Sequence, residues 1–402
     1  MKRIALLLLF IPLYAGAYDL GVLLDQSAGV GGIKDDSSSD YSAVLIPRFS
    51  TLLGDTGDVF VSAGLTASYE QEDFTFVTEL LRSEITWRFD GLRIKAGRLS
   101  YADPLNFVVD GLFDGAQVFY DTTMGVFSAG AWYTGLLYKK TAKITMTGKD
   151  FLSYYTALDY GDFADTYFAS RRMLMALSWE HPSLAELVRL KCALTGQFDL
   201  NNYDDTPFTP YHSQYATLKA SIPVQRLVFE LGGAIQIAQA DDELGVGLAG
   251  ELGVSWAPPV AFQSQLSLNG RFTSGNADSG SGIAFAPVTT KDQGNVLKAR
   301  LSGISAISAD YTARFHRNFS SSLAASYFVR SDLGTYAGYP AGAAAKDGHL
   351  LGGELFARLI WSPVSDVRLN AGGGFFLPAL GDAAPDADPQ WRIELSLVLA
   401  LY

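Results

Sequence analysis

From Ile85 to Ala96 the chain alternates without interruption. Ile85, Trp87 and Phe89 fall on one side and Glu84, Thr86 and Arg88 on the other; past Asp90-Gly91, Leu92, Ile94 and Ala96 oppose Arg93 and Lys95. A period of two is that of a strand between an apolar and a polar medium, and Asp-Gly is a tight hairpin turn. The polar medium here faces a row of cations.

Such segments recur about eighteen times, from 18–30 to 390–402. Short connections at 54–56, 89–91, 122–124, 181–184, 223, 258–259, 315–319 and 363–364 alternate with longer ones. Short turns at one end and longer loops at the other, with both termini on the same side, predict an all-β fold: a transmembrane antiparallel up-and-down β-barrel of about 18 strands in the bacterial outer membrane. A soluble sandwich also alternates, but it has no reason to place tryptophans at one height. Here Trp87, Trp179, Trp256 and Trp361 each precede a short turn on the apolar parity, as in an interfacial aromatic girdle. Segment 74–88 breaks phase, since Glu79 falls on the apolar parity. That predicts a β-bulge near Glu79 or a stretch rising above the bilayer.

Lys2-Arg3, the apolar run Ile4 to Leu13 and Ala15-Gly16-Ala17 fit a secretory signal peptide over residues 1–17, leaving 18–402 for the barrel. No later run of roughly 18 apolar residues exists to make a membrane helix. Cys192, between Leu190 and Leu194, is the single cysteine, which excludes a disulfide framework and reads as small apolar packing. The net charge of -12 argues against nucleic acid as a partner. His181, His212, His316 and His349 are dispersed, and no catalytic, metal-ligating or cofactor motif emerges. The sequence therefore predicts a non-enzyme without metal or cofactor, whose partners are outer-membrane lipid and a small solute.

If the aliphatic parity faces lipid, the lumen carries Arg48, Arg82, Arg88, Arg93, Lys95, Arg189, Lys191, Lys219, Arg226, Arg271, Lys298, Arg300, Arg358, Arg368 and Arg392. Opposing them are Asp19, Asp25, Glu84, Glu180, Glu230, Glu251, Glu354 and Glu394. Fifteen minus eight leaves about +7 on the wall, with the acidic excess assigned to loops that include Asp36, Asp40, Asp204, Asp382 and Asp388. A basic lumen focuses field on anions. Eighteen strands enclose a bore too wide for wall side chains to fill, so the longest loop, 135–169, is expected to narrow it. That loop interleaves Lys139, Lys140, Lys143 and Lys149 with aromatic residues, a composition suited to acidic saccharides.

Residues 95–121, KAGRLSYADPLNFVVDGLFDGAQVFYD, resemble the segment of alginate-export-type outer-membrane porins in which a strand ending in Gly-Arg, here Gly97-Arg98, leads through a loop into a strand starting near Asp-Gly, here Asp114-Gly115. Residues 270–280, GRFTSGNADSG, are similar to a strand-to-loop motif of the same family. The resemblance implies an 18-stranded barrel with an arginine-rich lumen that passes anionic uronate chains by diffusion; Arg98 and Asp114 match its motif, and Arg98 joins the expected pathway. Other 18-stranded porins that take carboxylates past basic residues fit the architecture almost as well. The function expected is a passive channel for anionic small molecules or acidic oligosaccharides. The alternative is a surface-exposed structural or adhesive barrel with a blocked lumen and acidic ligand-binding loops.

Overall fold

The computed structural model describes residues 18–34, 36–70, 73–204, 207–240, 243–260, 262–276, 282–333 and 348–401. The expected signal peptide and Tyr402 lie outside the described residues. The strands are β1 (Tyr18–Ile33), β2 (Asp36–Leu53), β3 (Gly57–Glu70), β4 (Asp73–Phe89), β5 (Leu92–Ala102), β6 (Asp110–Thr122), β7 (Gly125–Tyr133), β8 (Arg172–Leu184), β9 (Val188–Asp199), β10 (Tyr211–Val224), β11 (Leu227–Ala240), β12 (Glu243–Trp256), β13 (Gln263–Thr273), a short pair β14 (Asp292–Gln293) and β15 (Ala299–Arg300), then β16 (Ile304–His316), β17 (Phe319–Arg330), β18 (Leu350–Val364), β19 (Val367–Leu377) and β20 (Gln390–Leu401). All but β14 and β15 form one 18-stranded antiparallel sheet, each strand pairing with its chain neighbour. β20 closes on β1, from Val22↔Leu401 to Ile33↔Gln390. Closure leaves no unpaired edge, which is what a sheet needs to cross a bilayer.

The outward parity carries Leu194, Leu231, Ile235 and Leu252, each more than half exposed. In water so continuous an apolar surface would be a liability; on a closed barrel it is the lipid-facing band. The protein is an integral barrel of the bacterial outer membrane. Trp87, Trp179, Trp256 and Trp361 lie on this face near the inner-turn end, where Trp179 Nε1 donates to the Met124 carbonyl at 2.8 Å. The bulge expected near Glu79 is at Leu81: the β3–β4 register shifts between Ser62↔Arg82 and Ala63↔Leu80. Glu79 thereby turns inward and is buried.

Two expectations about connections need correction. The 31–40 stretch is not a loop, because β1 and β2 stay paired up to Ile33↔Asp36. The outer connections at 34–35, 71–72 and 241–242 are as short as the inner turns, since a ladder whose backbone groups already pair has no cause to end at the membrane surface. Asp40 consequently belongs to the wall of β2, not to a loop.

The interior holds an apolar core built from loops. Between β4 and β5 the ladder stops at Ser83↔Arg98, and between β6 and β7 it stops at Asp114↔Tyr133, while β5 and β6 remain paired to Ala102↔Asp110. The tip of this hairpin, residues 98–113, therefore leaves the wall on both sides and folds into the lumen. Its hinge points are glycines for steric reasons. Gly97 has φ +116°, and a Cβ there would collide with the Ser83 carbonyl; a Cβ on Gly115 would collide with that of Ala131.

Candidate functional site

The interior is organised by that inward hairpin. At its tip the buried Asp103 carboxylate accepts backbone N–H bonds from Leu105, Phe107, Val108 and Val109 at 2.8 to 3.1 Å, which holds the turn in one shape. Leu105, Phe107, Val108 and Val109 are almost wholly buried. Tyr101 stacks on Trp132 of β7 with centroids 4.2 Å apart, and its hydroxyl is 3.4 Å from Thr195 Oγ1 of β9. Leu105 packs over Gly232 of β11, and the Arg271 guanidinium of β13 lies 5.7 Å from the Phe107 ring centroid. The hairpin thus crosses the lumen against the wall from β7 to β13.

Two further loops build on it. In residues 282–303, Val288 N donates to the Val108 carbonyl at 2.8 Å, Thr289 Oγ1 accepts from Asp110 N at 2.8 Å, and Phe285 packs edge-on to Phe107 and Tyr215. The far end of this loop is fixed to β18, where Glu354 accepts N–H bonds from Asn295, Val296 and Leu297 at 2.6 to 3.0 Å. Loop 135–169 contains helices α1 (Lys139–Ala142), α2 (Gly148–Tyr155) and α3 (Phe163–Tyr167). It docks on β4 through Thr141 Oγ1 to Glu79 at 2.8 Å and Tyr167 to the Thr78 carbonyl at 2.9 Å. The expected single constriction is therefore three segments sharing one core. Leu105, Phe107, Val108 and Val109, apolar residues in what reads as a loop, were the sequence signal for it.

The lysines of loop 135–169 serve its own packing. Lys139 is buried and donates to the Thr156 carbonyl at 2.8 Å, and Lys140 lies over the Tyr154 ring at 4.2 Å. Burial pulls both ammonium groups below the usual lysine range; Lys140 adds to that on Lys139, whereas Glu70 opposes it on Lys140. Lys149 donates to the Asn202 carbonyl and faces the Tyr203 ring.

α2 is held to the wall by a fully buried ion triad. Arg172 of β8 pairs with Asp150 of α2 and, at 3.2 Å, with Asp199 of β9; Tyr203 donates to Asp199 at 2.6 Å. Removing one partner of such a group leaves uncompensated buried charge, a loss of about 3–5 kcal/mol. In Arg172→Met, trypsin should cut at Lys143 and Lys149 at least tenfold faster while the barrel keeps its heat-modifiable migration. Unchanged cleavage would mean that the triad does not hold the loop.

The wall cations expected from parity divide into groups. Arg82 and Lys95 share one carboxylate, Glu84, with Lys95 Nζ 2.7 Å from Oε1, and Thr86 Oγ1 donates to the same Oε1 at 3.2 Å. Beside them Arg93 stacks on Phe119, 4.3 Å from the centroid. Lys219 lies between Glu251 at 2.8 Å and Glu230 at 3.6 Å, and Arg271 reaches Glu251 at 3.6 Å. Arg392 lies between Asp40 at 3.1 Å and Glu394 at 3.7 Å, with Arg358 on Glu394 at 2.6 Å. Arg88 pairs with Asp58 and Lys191 with Glu180. Arg48 is on the lumen parity opposite Ser62. Arg189 and Arg368 share that parity, opposite Ser221 and Val398, and form no ion pair among the described residues. Asp40 was missed as a wall acid because it was assigned to a connection, and Asp58 was left out although it falls within the expected strand 57–70.

Four of the expected pathway residues are elsewhere. Arg226 is in the turn between β10 and β11. Lys298 and Arg300 are in loop 282–303, because the strand expected from 296 starts only at Ile304. Arg98 has the parity of the outward-facing Ala96, and is buried because loop 135–169 covers it. It binds Asp114 through two bonds at 2.8 and 2.9 Å, the Leu136 carbonyl at 3.0 Å and the Leu80 carbonyl. Arg98 and Asp114 thus lock the hairpin hinge rather than line the lumen.

No family model and no curated relative matches the chain. Solved structures of Pseudomonas aeruginosa outer-membrane porins of the OccD/OprD family do match. OccK9 (OpdG) aligns with a TM-score of 0.63 at 10% identity, covering 96% of this chain and 99% of that one. OccK2 (OpdF) in complex with glucuronate aligns at 0.62 and 11%, covering 96% and 98%; OprD aligns at 0.57 and 12%, covering 96% and 97%. The likeness is one of fold, the 18-stranded porin barrel. It does not single out the alginate-export type.

Proposed function

We propose that this chain is an outer-membrane channel through which small anionic molecules, uronate-like acids among them, diffuse. The observation that carries the reading is the cluster on β4 and β5. Arg82 and Lys95 converge on the single carboxylate of Glu84 with Arg93 alongside, so this stretch of wall holds more cation than it neutralises. In a low-dielectric lumen such an excess attracts anions and repels cations. Arg48 and Arg368 extend the basic side chains to β2 and β19, whereas Arg358 and Arg392 are matched by Glu394 and Asp40. The wall cations paired one to one, such as Arg88 and Lys191, supply polarity rather than net field. The glucuronate complex of the similarly folded OccK2 supports an acidic sugar as one solute, and diffusion needs no catalytic residue.

One observation favours the second reading, a structural or adhesive barrel with a blocked lumen: the loop core inside the barrel is apolar and continuous. Planar-bilayer recording under a salt gradient separates the two. The channel reading expects discrete conductance steps with a reversal potential on the anion side. A protein that inserts and folds yet gives no conductance would replace it with the blocked barrel.

A further inference from the structure

Above the shared loop core, on the side of the outer loops, lies a cavity of about 500 Å³ between loop 135–169 and loop 282–303, within the range of small-molecule sites. Its walls are of two kinds. Met146, Phe151 and Pro287 offer apolar surface; Thr147, Asn276 and Ser302 offer neutral polar groups. Arg300 supplies a cation.

The Arg300 guanidinium is held from one end only. Its Nη2 donates to the Thr145 carbonyl at 2.6 Å and to Thr145 Oγ1 at 2.8 Å, and Thr145 Oγ1 is itself 2.7 Å from Thr290 Oγ1. Nε and Nη1 have no hydrogen-bond partner among the described residues, and no carboxylate lies within ion-pair distance of the group. Burial pulls this guanidinium below its ordinary range, with Tyr155 and Asp292, its β14–β15 ladder partner, acting the other way. A cation fixed at one edge, with free donors on the other and a hydrocarbon wall opposite, is arranged for an anion that brings its own apolar or hydroxylated body. A single charge facing one acid at a distance suits a monoanion better than a dianion.

We propose that this cavity is an outer reception site for small monocarboxylates bearing hydroxyl groups, with Arg300 binding the carboxylate and Phe151 packing against the carbon chain. The proposal rests on the channel reading above and adds a saturable step before the lumen. The test uses full-length protein in detergent, titrated calorimetrically with gluconate, with its neutral analogue sorbitol and with inorganic phosphate. Gluconate should bind and sorbitol should not. Arg300→Gln should weaken gluconate by about tenfold or more, the loss expected for one charge-assisted hydrogen bond, and Arg300→Lys by less.

Arg300 also bridges two loops through Thr145, so Phe151→Ala provides an independent variant. Phe151 is 41% exposed and makes no part of that bridge, and its truncation should weaken gluconate several-fold with the fold intact. Absence of gluconate binding to the wild type, or unchanged binding in both Arg300→Gln and Phe151→Ala, would overturn the site. Equal binding of phosphate would overturn its assignment to carboxylates. Loss of binding on substituting Arg93 would move the site to the wall and overturn it as well. None of these outcomes bears on the reversal potential, which judges the channel reading separately.

Discussion

Replacing Arg93, Arg189 and Arg368 together with glutamate is expected to move the reversal potential in a salt gradient from the anion side toward the cation side. These three are the informative choice because none forms an ion pair among the described residues, so reversing them orphans no carboxylate. Lys95 would be a poor choice, since Glu84 is buried and depends on it. A unit charge acts on an ion 4 Å away by about 1 kcal/mol in water and about 4 kcal/mol in a partly desolvated wall. Each kcal/mol changes the local ratio of anion to cation about fivefold, so three reversals give a shift well outside recording error. Arg226→Glu is the matched control: Arg226 lies in the inner turn between β10 and β11, off the lumen wall, and its reversal should leave selectivity where it was. A triple variant that folds, inserts and retains the wild-type preference would mean that these wall cations do not set the field.

The strand parity was legible in the sequence because a barrel wall separates two solvents at every residue, and each strand reports that separation independently. The bulge at Leu81 was legible for the same reason: Glu79 could not face lipid. What parity cannot show is where a strand leaves the wall. Residues 98–113 keep their alternation after detaching, because Tyr101 and Phe113 still bury one face, now against the loop core. Gly97-Arg98 and Asp114-Gly115 were visible as a motif, but their role as a hinge depends on the ladders with β4 and β7 ending there. Arg98 entered the pathway through the family resemblance, whereas its parity is that of the outward-facing Ala96. Lys298 and Arg300 were misplaced by the opposite error, since the apolar Val296, Leu297 and Leu301 belong to a loop that finds its partners inside the barrel, where a loop need not be polar.

The inward hairpin gives the largest expected change in conductance. Joining Ser100 directly to Leu112, its ladder partner, through an Asn-Gly turn would remove Tyr101 to Gly111 and keep the Arg98–Asp114 lock. The shortened protein loses the stack on Trp132, the Leu105 contact across the lumen and the Asp103 turn. Loop 282–303 loses its inner support in the same step, because Val288 has no Val108 carbonyl to bind and Thr289 no Asp110 amide. Since an 18-stranded wall cannot fill its own bore, single-channel conductance should rise roughly twofold or more. Deleting 139–165 should do less. That segment docks on Glu79 through Thr141, and α2 rests on the Arg172 triad at the wall, while Leu136, whose carbonyl binds Arg98, lies outside the deletion. The barrel ladders are untouched in both variants, so heat-modifiable migration should persist and certify that any change arises inside the lumen. If the hairpin deletion leaves conductance unaltered, or if deleting 139–165 has the greater effect, the narrowest point lies against the α1–α3 loop and the hairpin is only its support.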